Sequence, residues 1–182
     1  MKAELVTDPG VMRASGSVAG QFVAALADRG TAPFIANVGS TMLLARVGGF
    51  DLPVSVDDGG YGCSYVSSPH SAYVPYARRE MDLVGLRHGR RAAGAVLGLT
   101  DRLLRAARFD RVVHLDNWLL STNLHGEWTG VGLPALRELL CRQFPDHFVI
   151  LRTLDRWSSP ALLDAARRDG WIMVPARQIW VT

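Results

Sequence analysis

The residues Asp116-Asn117-Trp118-Leu119-Leu120-Ser121-Thr122-Asn123-Leu124 gather a carboxylate, two carboxamides and two hydroxyls directly after the apolar run Val112-Val113-His114-Leu115. That order predicts a strand that leaves the core and ends in hydrogen-bonding side chains at a sheet edge. Open α/β sheets hold their ligands at such edges. Asn117, Ser121 and Asn123 are candidate substrate contacts there. The same residue types also satisfy local backbone in an Asx-type turn, so a structural use competes with the chemical one.

A second group lies upstream. Tyr61, Tyr65, Tyr73 and Tyr76 are all the tyrosines of the chain, and they fall among Ser64, Ser67, Ser68, Pro69, His70 and Pro75. Tyrosine offers a stackable ring and a phenol that donates or accepts a hydrogen bond. The stretch predicts a pocket wall with Tyr65, Ser67, Tyr73 and Tyr76 as contacts; ordinary aromatic packing is the alternative. Two arginines complete the set. Arg152 follows the apolar run Phe148–Leu151, and Arg177 sits beside the start of a closing strand. An arginine fork binds carboxylate, phosphate or sulfate. If the strands containing Arg111–Leu115 and Phe148–Leu151 are parallel, Arg152 lies near Asn117. A solvated surface charge is the commoner fate of an arginine.

Other chemistries lack their residues. His70, His88, His114, His125 and His147 form no metal-ligand spacing, so no metal site is expected. There is no Gly-x-Ser-x-Gly elbow, no phosphate-binding Gly-x-x-x-x-Gly-Lys-Ser/Thr loop, and no Gly-x-Gly-x-x-Gly after a strand. Acyl-coenzyme A transferases of the GNAT type use an Arg/Gln-x-x-Gly-x-Gly/Ala loop, whose backbone N–H groups meet a pyrophosphate at a helix N-terminus. Arg91-Ala92-Ala93-Gly94-Ala95 resembles the start of that loop, but Val96 stands where the last small residue belongs. The net charge is +3, with the basic residues interspersed among acids rather than set in a stripe, which disfavours nucleic acid as a partner.

These groups need a scaffold. With 182 residues, 48% of them hydrophobic, the chain can form one domain over residues 1–182 with its own core. No apolar run approaches the ~20 residues of a membrane helix, and the N-terminus lacks the apolar stretch of a signal peptide. We expect a cytoplasmic protein with no membrane partner, in which Cys63 and Cys141 are separate reduced thiols. Helical periodicity runs over residues 15–28, 76–85, 92–108 and 133–144, and Ser159-Pro160 opens another helix that stops at Gly170. Strands are expected at 34–37, 42–47, 52–56, 111–115, 148–151, 171–174 and 178–181. The order predicts an α/β (α+β) fold, a mixed β-sheet flanked by helices.

Three stretches carry a resemblance: Ser64-Tyr65-Val66-Ser67-Ser68-Pro69, Ala72-Tyr73-Val74-Pro75-Tyr76-Ala77 and Asp116–Leu124, with Ala176-Arg177-Gln178 at the end. Together they resemble the amino-terminal half of a group of bacterial GNAT-like proteins. In that group a second GNAT-like half follows, whereas this chain ends at Thr182. The resemblance therefore implies a partner subunit. The chain is also similar to the two-chain aziridine-forming enzymes of actinobacterial antibiotic pathways of the azinomycin and vazabitide type. That similarity implies a small-molecule substrate whose amine displaces a neighbouring sulfate, with no cofactor. Glu80 or Asp82 is then the first candidate base and Asp116 the next, with Arg152 and Arg177 the candidate sulfate ligands. Two alternatives remain: an acyl-coenzyme A N-acyltransferase, and a stabilising subunit whose partner holds the catalytic groups.

Overall fold

The computed structural model describes residues 1–61, 63–85 and 87–175. Five strands form one mixed sheet in the order β1 (Ala3–Val6), β2 (Thr41–Val47), β3 (Phe50–Asp58), β4 (Arg111–Leu115) and β5 (Phe148–Leu151). Neighbours from β1 to β4 are antiparallel, and β4 pairs with β5 in parallel, Val112 opposite Phe148 and Leu115 opposite Leu151. Two short helices, α1 (Pro9–Ala14) and α2 (Val18–Arg29), join β1 to β2. Helices α3 (Pro69–Tyr73), α4 (Pro75–Leu83) and α5 (Arg90–Ala106) join β3 to β4. Helix α6 (Leu133–Gln143) makes the parallel crossover from β4 to β5, and α7 (Pro160–Arg168) follows β5. The expected mixed sheet flanked by helices is therefore what the chain forms.

Local chemistry accounts for the joints. Gly48 and Gly49 have φ of 55° and 86°, the left-handed pair that closes a two-residue hairpin between Val47 and Phe50. Ser17 caps α2 by accepting the Gly20 N–H at 2.9 Å. Alternation along the strands splits the core in two. Leu43, Ala45, Val54, Val56, Val113 and Leu115 face Leu133, Leu136 and Leu140 of α6 and Leu162 of α7. On the other face Met42 and Leu44 pack against Met12 of α1 and Val23, Ala24 and Leu26 of α2.

Some expectations fail. Residues 34–37 form turns, not a strand: the Phe34 and Ile35 N–H groups both donate to the Thr31 carbonyl, at 3.0 and 2.9 Å. Pro33, which lacks an N–H, suits a turn better than a ladder. Residues 171–175 have no regular structure. The expected strand at 178–181, Arg177 and the Ala176–Gln178 match lie outside the described residues. Strand β1 and helices α1 and α3 were not anticipated. They are four, six and five residues long, too short to display a period. Among the described residues no helix is long and apolar enough to cross a membrane.

Candidate functional site

Strand β4 ends in a bulge. Its last pair is Leu115 opposite Val54, and the next N–H to reach β3 belongs to Asn117, which donates to the Pro53 carbonyl at 2.9 Å. Asp116 is the extra residue, with φ 53°. Bulges of this kind re-aim a side chain. Leu119 at φ 56° and Thr153 at φ 60° share the left-handed conformation. Three of the four such non-glycine residues described therefore sit just past the carboxyl ends of β4 and β5, the fourth being Arg108. Each costs on the order of 1 kcal/mol or more, and strain of this kind collects at functional sites.

The bulge turns the Asp116 carboxylate inward, where it is 1% exposed. Its Oδ1 accepts the Trp118 indole N–H at 3.0 Å, and its Oδ2 lies 2.8 Å from Nδ1 of His125. His125 is 9% exposed, and its Nε2 lies 3.0 Å from the Arg152 carbonyl. That carbonyl can only accept, so Nε2 carries a proton and donates it. Asp116 and His125 thus form a buried pair that ties the end of β4 to the end of β5.

A second knot lies beside the first. Nη1 of Arg152 donates to the Val66 carbonyl at 2.7 Å and to Oδ1 of Asn117 at 3.0 Å. The Asn117 amide donates to Oγ of Ser55 at 2.8 Å and to the same Val66 carbonyl at 3.1 Å. Val66 belongs to the tyrosine-bearing stretch, so three separate sequence features meet at one backbone oxygen. Burial, helped by the Arg152 charge, pushes His114 down to about 3, so this ring is neutral in the folded protein near neutral pH. Asn123, on the loop after β4, is 6% exposed, and neither of its carboxamide atoms has a hydrogen-bond partner among the described residues. A buried carboxamide without partners is costly and calls for an explanation.

The remaining expected residues are dispersed. Tyr65 and Tyr76 pack together with ring centroids 5.2 Å apart. Ser67 is buried, its hydroxyl turned back to the Ser64 carbonyl at 3.3 Å, and Tyr73 is half-buried at the end of α3. Ser121 is exposed. Glu80 and Asp82 are exposed on α4, and Asp82 pairs with Arg90 at 2.6 Å. Neither has a hydrogen bond to the Asp116 group, so within the described structure Asp116 is the candidate base with a built surrounding. His125 went unnoticed as a site residue, because a partner nine positions away across an irregular loop has no periodic signature.

The stretch at Arg91 that resembles the start of a phosphate loop is a helix start. Residues 91–96 lie within the first turns of α5, where the Ala93 N–H already donates to the Gly89 carbonyl at 2.9 Å. Gly130-Val131-Gly132 leads into α6 directly after the β4 loop. Packing explains both glycines. A Cβ on Gly130 would come within 2.6 Å of the Ala165 Cβ, and one on Gly132 would collide with Val47. Both have positive φ, 90° and 73°. Gly132→Ala should therefore destabilise the fold by about 2–4 kcal/mol, read as a lower urea midpoint with unchanged slope.

The opposite end of the same sheet face carries another polar group. Asp57 at the end of β3 accepts the Ser40 hydroxyl at 2.8 and 2.9 Å. Burial, with the Asp110 and Asp58 charges adding, pushes its carboxyl up to about 7 despite that hydroxyl. Asp110 accepts from the Ser68 hydroxyl at 2.9 Å and from the His70 N–H at 2.9 Å. Among the described residues no group of three or more His, Cys, Asp or Glu side chains is arranged to hold a metal ion. Set against family models, curated proteins and solved structures, the chain matches none of them.

Proposed function

We propose that this chain is the substrate-holding subunit of a two-chain tailoring enzyme in secondary-metabolite biosynthesis of the antibiotic kind, working in the cytoplasm without a cofactor. The supporting observation is the buried Asp116–His125 pair at the strained carboxyl ends of β4 and β5, on the same loop as the Asn123 carboxamide, which has no partner among the described residues. The candidate reaction is intramolecular. The neutral substrate amine attacks the neighbouring carbon; the C–O bond to sulfate breaks, sulfate leaves with the electron pair, and the nitrogen gives up a proton as the aziridine forms. Asp116 is the candidate proton acceptor, because Trp118 and His125 occupy only part of its lone-pair capacity. Asn123 is a candidate hydrogen-bonding partner for the substrate, and Arg152 is the candidate that faces the leaving anion. Such catalysis works by orientation and electrostatic placement.

The test is mass spectrometry of a vicinal amino-sulfate ester incubated with both chains. The expected product has lost the mass of sulfuric acid. Unchanged substrate with a stable two-chain complex present overturns this reading. A second reading is an acyl-coenzyme A N-acyltransferase that binds coenzyme A near Arg91 and Gly94, at the start of α5. Saturable heat and a thermal shift with acetyl-coenzyme A would favour it over the first. If single substitutions of Glu80, Asp82, Arg152, Asn117 and Asp116 all leave turnover of the complex unchanged, the chain acts as a stabilising partner instead.

A further inference from the structure

Helix α5 spans 17 residues, and none of them is buried. It lies against α3 and α4, tied by Asp101, whose Oδ1 is 2.5 Å from Nε2 of His70. Its half-buried side carries Leu97, Thr100 and Leu104. The other side carries Ala92, Val96, Leu99, Leu103 and Ala106, spaced alternately four and three apart. That is the spacing of a two-helix seam. Val96 is 64% exposed, Leu99 59% and Leu103 60%. Water contact over such a row is unfavourable, and apolar rows of this sort mark interaction sites.

The surrounding charge identifies the partner. Residues 87–108 hold Arg87, Arg90, Arg91, Arg102, Arg105 and Arg108, with Asp101 as the single acid. Arg90 is paired with Asp82 and Arg105 with Asp101. Arg91 and Arg102, on the solvent edge of the seam, make no ion pair among the described residues. A second copy of α5 fits poorly. Antiparallel pairing centred on Leu99 brings Arg91 of one copy and Arg102 of the other to the same flank. Parallel pairing in register sets Arg102 of one copy beside Ala107 of the other. The first arrangement repels, and neither gives an arginine an acid to pair with.

We propose that this seam is the docking site for an amphipathic helix with acidic flanks, supplied by a second protein chain. The row from Ala92 to Ala106 is about 21 Å long, room for roughly four turns of partner helix. Apolar residues of that helix cover Val96, Leu99 and Leu103, and its acids meet Arg91 and Arg102. The inference deepens the two-chain reading above but does not depend on the reaction proposed there.

The probe is a synthetic three-heptad peptide with leucine and isoleucine along its seam and glutamate on both flanks, titrated into the full chain by calorimetry. A twin peptide with lysine on the flanks is the control. The acidic peptide should bind one to one and saturate, and the lysine peptide should bind at least about tenfold more weakly. Leu99→Asp should abolish binding while circular dichroism and the urea midpoint stay unchanged, because the side chain is exposed. Arg91→Glu with Arg102→Glu should reverse the preference between the two peptides. Equal binding of both peptides, no binding of the acidic one, or binding that survives Leu99→Asp overturns the proposal. So does a wild-type dimer in light scattering that Leu99→Asp converts to a monomer, since the seam then belongs to a second copy. Peptide binding that behaves as expected beside a failed sulfate-loss assay would sink only the reaction.

Discussion

Asp57→Asn should resist urea better than the wild type at pH 8, by roughly 3–4 kcal/mol. The carboxyl stands at 3.8 in an ordinary setting and is pushed up to about 7 in the fold by burial. Its contribution is therefore fully present below about pH 4 and is lost as pH rises through 7, where the folded state must hold a buried carboxylate. Asparagine keeps the acceptor for Ser40 and carries no charge at any pH. The gain should shrink to under about 2 kcal/mol at pH 5 and vanish near pH 3.

A companion effect sharpens the test. His114 goes the other way, from 6.5 to about 3, so its contribution is present above 6.5 and is lost as pH falls. Between about pH 4 and 6.5 the folded wild type holds one extra proton on Asp57 and one fewer on His114, and the two slopes cancel. Removing Asp57 exposes the histidine slope, and stability should then climb by about 1.4 kcal/mol per pH unit across that window. Urea midpoints at four pH values decide it. A flat difference between Asp57→Asn and wild type from pH 3 to pH 8 would show that the carboxyl is not perturbed.

The second large effect concerns the pair at the other end of β4. Asp116→Ala leaves His125 without its buried counter-group and the Trp118 indole without its acceptor. It should cost about 3–5 kcal/mol, because one member of a buried pair is left uncompensated. Asp116→Asn keeps the shape and one acceptor, and should cost less than half as much. The two variants separate fold from chemistry. If Asp116 takes a proton in the reaction, Asp116→Asn lowers turnover of the two-chain complex about 100-fold or more while the complex stays assembled. Turnover within twofold of wild type removes Asp116 as the base, and a urea midpoint for Asp116→Ala close to wild type would show that the pair is not formed.

The elements that sequence alone revealed are those with a local cause. The runs Arg111–Leu115 and Phe148–Leu151 are continuous apolar stretches of strand length, and their bounds in the fold are the same. Helices α2, α6 and α7 announce themselves by period and by their stops and starts: Gly30 after α2, Pro134 and Pro160 in the first turns of α6 and α7. The mixed, helix-flanked sheet follows from that alternation. Tertiary structure alone decided the rest. The Asp116–His125 contact, the junction of Asn117 and Arg152 at the Val66 carbonyl, and the opposed shifts of Asp57 and His114 join residues from separate segments. No spacing encodes them, because irregular backbone and burial by distant elements set their geometry. Periodicity also placed Val96, Leu99, Leu103 and Leu104 on one face of α5, but in the fold Leu104 turns to the half-buried side and the other three are left open.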